Sequence, residues 1–178
     1  MISRLPSFLD ELARLSAQQW LLRGTVPAAT LLTVVAERLA GAPGQHLVFL
    51  LVAVALSLLT AALPDSSAGL FLVLLLAWHW SVTVPDRLTG WLLLPALAVL
   101  AIHVAATLAS YGPASLVLDR ALLRLWGRRC LLAAAAAGAT WLVAALAYGA
   151  GVPGGAWALG GSLAMLAAWA TYLARRLT

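Results

Sequence analysis

Two groups of side chains carry whatever chemistry this sequence has. The first gathers Glu37, Arg38, His46, Asp86 and Arg87 at the borders of apolar runs, with His79 slightly deeper inside one of them. Ionisable groups in such places are costly unless paired, so they are either loop residues that meet water or the mouth of a site for a solute or an extracytoplasmic partner. The second reading requires Glu37, His79 and Asp86 to converge, although they come from three separate segments. The other group is Arg120, Arg124 and Arg128 at i, i+4 and i+8, followed by Arg129, with Leu118, Leu122, Leu125 and Trp126 opposite. This is the pattern of a basic amphipathic helix, which suits anionic headgroups or a cytoplasmic partner.

Catalytic equipment is thin. An intramembrane enzyme needs a nucleophile with its base, paired carboxylates or a metal cluster. Gly160-Gly161-Ser162 places a serine among glycines without completing G-x-S-x-G. Together with Ala158, Ala164 and Ala168 it reads as a small-residue face for helix packing. The adjacent acids Asp10 and Glu11 lie in a polar N-terminal stretch. Cys130 is the single cysteine, which excludes an internal disulfide and a cysteine-based metal cluster. His79 and His103 fall at heights that differ by roughly 6 Å at 1.5 Å per residue, so a shared haem or metal is not favoured. No catalytic residue, no metal site and no cofactor is expected.

The elements that must position these residues follow from composition. Apolar residues make up 63% of the chain and charged residues 10%, against roughly 45–50% and about 25% in soluble domains. With 11 basic and 6 acidic residues crowded into short stretches, the chain lacks the polar surface of a soluble domain of its length. Lipid is the solvent for most of it. The net charge of +5 sits beside long apolar runs, where it sets topology and meets headgroups rather than nucleic acid. Lysine and asparagine are absent while alanine, leucine, glycine and arginine abound, a usage that points to a GC-rich bacterial genome.

Five runs, 46–63, 68–84, 91–110, 130–148 and 156–174, are long enough to cross the ~30 Å hydrocarbon core. In lipid each must be helical, because every backbone N–H and C=O has to be satisfied within the segment. Gly/Pro/Ser-rich turns separate them. The segment 22–40 is doubtful, with Pro27 near its start and Glu37-Arg38 near its end. Arginine placement decides in its favour. If it spans, Arg4, Arg14, Arg23, Arg120, Arg124, Arg128, Arg129, Arg175 and Arg176 share one side, against Arg38 and Arg87 on the other. The nine-to-two split obeys the positive-inside rule, and the alternative of five against six does not.

The expectation is therefore an all-α, polytopic integral membrane protein of six transmembrane helices, N-in/C-in, with short amphipathic interfacial helices over 7–20 and 115–129. A cytoplasmic amphipathic segment at 1–21 precedes the six-helix domain at 22–178. The charged stretch ahead of residue 25 is too long for a signal peptide. In size and layout the chain resembles the substrate-capture subunits of energy-coupling-factor importers, a likeness of topology that carries over no ligand-pocket motif. Little extramembrane mass and little equipment for chemistry point to a non-catalytic bacterial inner-membrane protein, a subunit or scaffold of a larger complex, with a small transporter component as the alternative. Its expected partners are the bilayer, with anionic lipid at the cytoplasmic face, and other membrane subunits or copies of itself. Nucleic acid is not among them.

Overall fold

Proline sets where two of the helices stop. A computed structural model of the protein describes residues 15–44, 46–86, 88–111 and 117–149, and every regular element in them is helical. Helix α1 spans Ala17–Leu39, α2 Leu47–Ala62 and α3 Ala68–Thr83. A 3₁₀ turn at Gly90–Leu92 leads into α4, Leu93–Ser110, and α5 spans Arg120–Gly149. The residue before a proline is pushed out of the helical region. Accordingly α2 ends at Leu63 (φ −126°, ψ 75°), ahead of Pro64, and α3 ends at Val84 (φ −84°, ψ 120°), ahead of Pro85. The start of α1 is fixed by Ser16, whose hydroxyl accepts the Gln19 N–H at 3.3 Å, a standard N-cap bond.

The chain divides into two units, residues 1–130 and 131–178. In the first, α1 to α4 form an up-down-up-down bundle. Its core takes small and branched residues from all four helices: Val26 and Ala29 of α1, Phe49 and Ala53 of α2, Leu72 and Leu76 of α3, and Ala98, Ile102 and Ala105 of α4. These recur at helical spacing, and the alanines let the backbones approach closely. Ala36, Ala42, Trp80 and Val84 form a smaller cluster at one end. The opposite faces are apolar as well: Leu58 is 57% exposed and Trp78 61%, and Leu51, Phe71, Leu74 and Val82 are likewise exposed. A soluble monomer rarely shows apolar patches on this scale.

Two helices are long and apolar enough to cross a membrane among the described residues, Gly90–Ser110 with 21 residues and Arg120–Tyr148 with 29. The other apolar helices, α2 and α3, have 16 residues each, roughly 24 Å at 1.5 Å per residue. The prolines that end them explain the shortfall from the expected spans 46–63 and 68–84. α1 has 23 residues but holds Arg23, Glu37 and Arg38. The expectation of six spans thus reduces to two on length and hydropathy. The segment 156–174 lies outside the described residues.

Two further expectations need correcting. α1 begins at Ala17 instead of 22, so Pro27 lies in its interior instead of its first turns and the carbonyl of Arg23 loses its i+4 donor. Residues 17–20, assigned by sequence to a separate surface helix over 7–20, are its first turn, and residues 1–14 lie outside the described residues. Likewise α5 runs unbroken from Arg120 to Gly149, so the surface helix expected over 115–129 and the span expected over 130–148 are one rod from residue 120. Gly127 alone does not stop it, because its flanking arginines and leucines are good helix formers. α5 begins in the first unit and continues as the described helix of the second.

Candidate functional site

Glu37 stands near the C-terminal end of α1 and His79 near that of α3, and the bundle places these two ends side by side. Their side chains meet. His79 Nδ1 lies 3.0 Å from Glu37 Oε1 and 3.1 Å from Oε2. Glu37 is 0% exposed and His79 4%. The imidazole is stacked on Phe49 of α2, with centroids 3.5 Å apart and planes within 7°, so its faces are held while one edge faces the carboxylate. A buried carboxylate is tolerated only when paired and hydrogen-bonded, and this contact supplies both. The remaining ring nitrogen, Nε2, is buried without a hydrogen-bond partner among the described residues, and the same holds for the neighbouring Trp80 Nε1.

The other residues of the expected cluster stand as follows. Asp86 is exposed and its Oδ1 accepts the Leu88 N–H at 3.1 Å, an Asx-type turn that holds the loop after α3. His46 is exposed at the N-cap of α2 without a side-chain capping bond. Arg38 is exposed and reaches toward the α1–α2 turn, where a Cβ added at Gly44 would stand 3.9 Å from its Nη1. Arg87 lies outside the described residues. Of the three residues required to converge, two do so directly, and Asp86 serves its own turn.

The other end of the bundle holds contacts that sequence reasoning missed. Arg23 Nη1 donates to the carbonyls of Ala61 at 3.1 Å and Ala62 at 3.0 Å, capping the C-terminal carbonyls of α2 with a cation as the helix dipole favours. Gln19, one turn before Arg23, is fully buried with neither amide atom partnered among the described residues. Gln18 Oε1 accepts the Leu118 N–H at 2.8 Å and ties the approach to α5 onto α1. Antiparallel register was the available signal. Counting back from Leu39 to Arg23 and forward from Leu47 to Ala62 covers about the same rise, roughly 24 and 22 Å.

On the first part of α5, Arg120, Arg124, Arg128 and Arg129 are all exposed. Trp126 is half-buried, edge-on to Tyr111 at 6.3 Å between centroids, with the Arg129 guanidinium 5.7 Å from its ring. Trp126 is therefore turned toward protein and the arginines are left for solvent or headgroups. Replacing Arg120, Arg124 and Arg128 together by glutamine is expected to weaken retention of phosphatidylglycerol by up to ~1 kcal/mol per arginine. Native mass spectrometry of the purified chain counts the retained lipid, and equal retention by the variant would remove anionic lipid from this face.

Chemically, the Glu37–His79 pair is an acid–base couple. Among the described residues no three His, Cys, Asp or Glu side chains are grouped to hold a metal ion. His103, exposed on α4, is not part of the couple. Comparison with family models, with curated proteins and with solved structures found no match.

Proposed function

We propose that the chain is a non-catalytic, multi-pass protein of the bacterial inner membrane that serves as a subunit or scaffold of a larger membrane assembly. The observation that carries this reading is the surface. Large apolar side chains face outward on every helix of the bundle, whereas two polar contacts tie one helix to another, buried Glu37 to His79 and half-buried Arg23 to the end of α2. Such a body offers packing area to lipid and to neighbouring helices and little equipment for a reaction. The full proposal has six spans, at about 22–40, 46–63, 68–84, 91–110, 130–148 and 156–174, with both ends of this chain in the cytoplasm. Support for the doubtful first span comes from Glu37, one of the ionisable residues that made it doubtful, and from Arg23. Both are taken up inside the bundle, which lowers the cost of placing them in lipid.

The experiment is purification of the tagged chain from native membranes in mild detergent. A stoichiometric membrane-protein partner is the expected result. Recovery of the chain alone, with ligand-induced thermal stabilisation, would replace this reading by the second one, a solute-capture or permease subunit. The buried ionisable pair favours that alternative, since such pairs mark substrate and proton paths in transporters.

Topology has its own test. In a Cys130→Ser background, cysteines at Gly44 and Thr89 are expected to react with an impermeant thiol reagent in intact cells, and one at Ser67 is expected to be protected. The reverse pattern at Gly44 and Ser67 would sink the six-span arrangement.

A further inference from the structure

α3 and α4 stand apart along much of their length. Between them lies a cavity of about 710 Å³ that runs from the turn after α2 into the bundle. A second cavity of about 250 Å³ continues it and shares Ala96 and Val99 with the first. The walls are chemically graded. At the turn end stand Asp65, Ser66 and Ser110, one to two turns deeper His103 and Thr107, and beyond them the apolar stretch of Val73, Val99 and Ile102. The hydroxyls of Ser66, Thr107 and Ser110 each donate to a carbonyl of their own segment, so toward the cavity they present acceptor oxygens. Among the described residues, Asp65 and His103 are the titratable side chains of this wall, and no arginine lines it.

We propose that this cleft holds one phospholipid of the ethanolamine class, drawn from the leaflet on the side of the 64–67 turn; the proposal rests on the membrane reading above. The order of groups along the cleft matches the order along such a lipid. A primary ammonium at the outer end finds the Asp65 carboxylate and the acceptor oxygens of Ser66 and Ser110, an arrangement of charge-assisted hydrogen bonds. The phosphate, one step deeper, meets the His103 imidazole as donor. The acyl chain then runs along Val73, Val99 and Ile102. Length agrees as well: Ser110 to Ala96 is roughly 21 Å of helix, enough for a headgroup region and most of the ~15 Å depth of one leaflet's hydrocarbon. An anionic glycerol headgroup would bring its charge beside Asp65 with no ammonium to offset it, and a choline headgroup carries charge without N–H donors.

The test uses the full chain with Arg120, Arg124 and Arg128 replaced by glutamine, which removes the α5 face that competes for anionic lipid, in mild detergent, offered phosphatidylethanolamine, phosphatidylglycerol and phosphatidylcholine with identical acyl chains, and read by native mass spectrometry. One ethanolamine lipid is expected to be retained with roughly tenfold preference over the other two, the ratio that one good charge-assisted bond supplies. Asp65→Asn, an exposed turn substitution, is expected to bring the preference over phosphatidylcholine close to parity while lipid is still bound. Ala106→Trp, which fills the cavity wall, is expected to abolish retention of all three. Should that variant fail to fold, Asp65→Asn alone decides. In that triple-glutamine background, equal retention of phosphatidylglycerol, absence of retained lipid, or an unchanged preference once Asp65→Asn is added would overturn the assignment. Carbonate extraction of native membranes separates the two levels: release of the chain into the soluble fraction overturns the membrane reading, whereas a membrane-retained chain that shows no ethanolamine preference overturns the cleft assignment alone.

Discussion

Glu37→Ala is expected to lower the stability of the bundle by about 1–3 kcal/mol, the usual cost of leaving a buried hydrogen-bonding group without its partner. The cause is what remains behind. His79 Nδ1 would lose its acceptor inside a site that is 4% exposed, while Nε2 is already without a partner among the described residues. A buried polar ring with neither nitrogen bonded carries the full desolvation penalty. Glu37→Gln keeps an acceptor oxygen within reach of Nδ1 and is expected to lose less than half as much. Replacing both partners, Glu37→Leu with His79→Phe, is expected to recover most of the loss, because well-packed apolar residues often match or exceed a buried pair in stability and the new ring still stacks on Phe49. The measurement is the denaturation midpoint of the full chain in detergent micelles, arranged as a double-mutant cycle. A coupling energy near zero would mean that the two side chains do not meet in the folded protein. The double variant also tests role: if it is stable and retains its membrane partner, the pair is a brace between α1 and α3, and if it is stable yet loses the partner, the pair belongs to the binding surface.

Helical class and the positions of the turns were legible in the sequence because they depend on local chemistry. Pro64 and Pro85 end α2 and α3 close to where their dipeptides predict, and the apolar runs at 46–63, 68–84 and 91–110 each became one helix. Boundaries failed where no local signal competes with propagation. Nothing in Gly127-Arg128-Arg129-Cys130 opposes helix, so α5 passes through a border drawn from charge alone. Ser16 offers a capping hydroxyl ahead of Ala17, and α1 consequently starts before the apolar run at 22. The site was half legible. Intramembrane placement marked Glu37 and His79 as candidates, since a buried carboxylate needs a partner, but the stack on Phe49 depends on the relative rotation of three helices, which hydrophobic period does not fix in segments that are apolar all round. Asp86 has a local task of its own, the turn it holds with Leu88. Arg23 was weighed only as a topological charge, and its structural task was missed.

That task gives the last expected result: Arg23→Leu should cost about 2–3 kcal/mol, the scale of hydrogen bonds made by a charged donor. Nη1 serves two carbonyls, those of Ala61 and Ala62, at 3.1 and 3.0 Å, and these are among the last groups of α2, which have no intrahelical donor. In lipid such carbonyls have no water to turn to, so their loss of a partner is dearer than at a soluble helix end. Arg23→Lys retains the charge at the helix terminus but places one compact ammonium where a planar fork stood, and partial rescue is expected. Topology should be unaffected, because removing Arg23 from its group still leaves Arg4, Arg14, Arg120, Arg124, Arg128, Arg129, Arg175 and Arg176 against Arg38 and Arg87. The check therefore has two readings on one variant: the denaturation midpoint in detergent falls, while in intact cells a cysteine at Ser67 stays protected from the impermeant reagent. An unchanged midpoint would show that the guanidinium does not cap α2. A midpoint that falls together with new labelling at Ser67 would show that Arg23 acts through membrane orientation instead of through the carbonyls it touches.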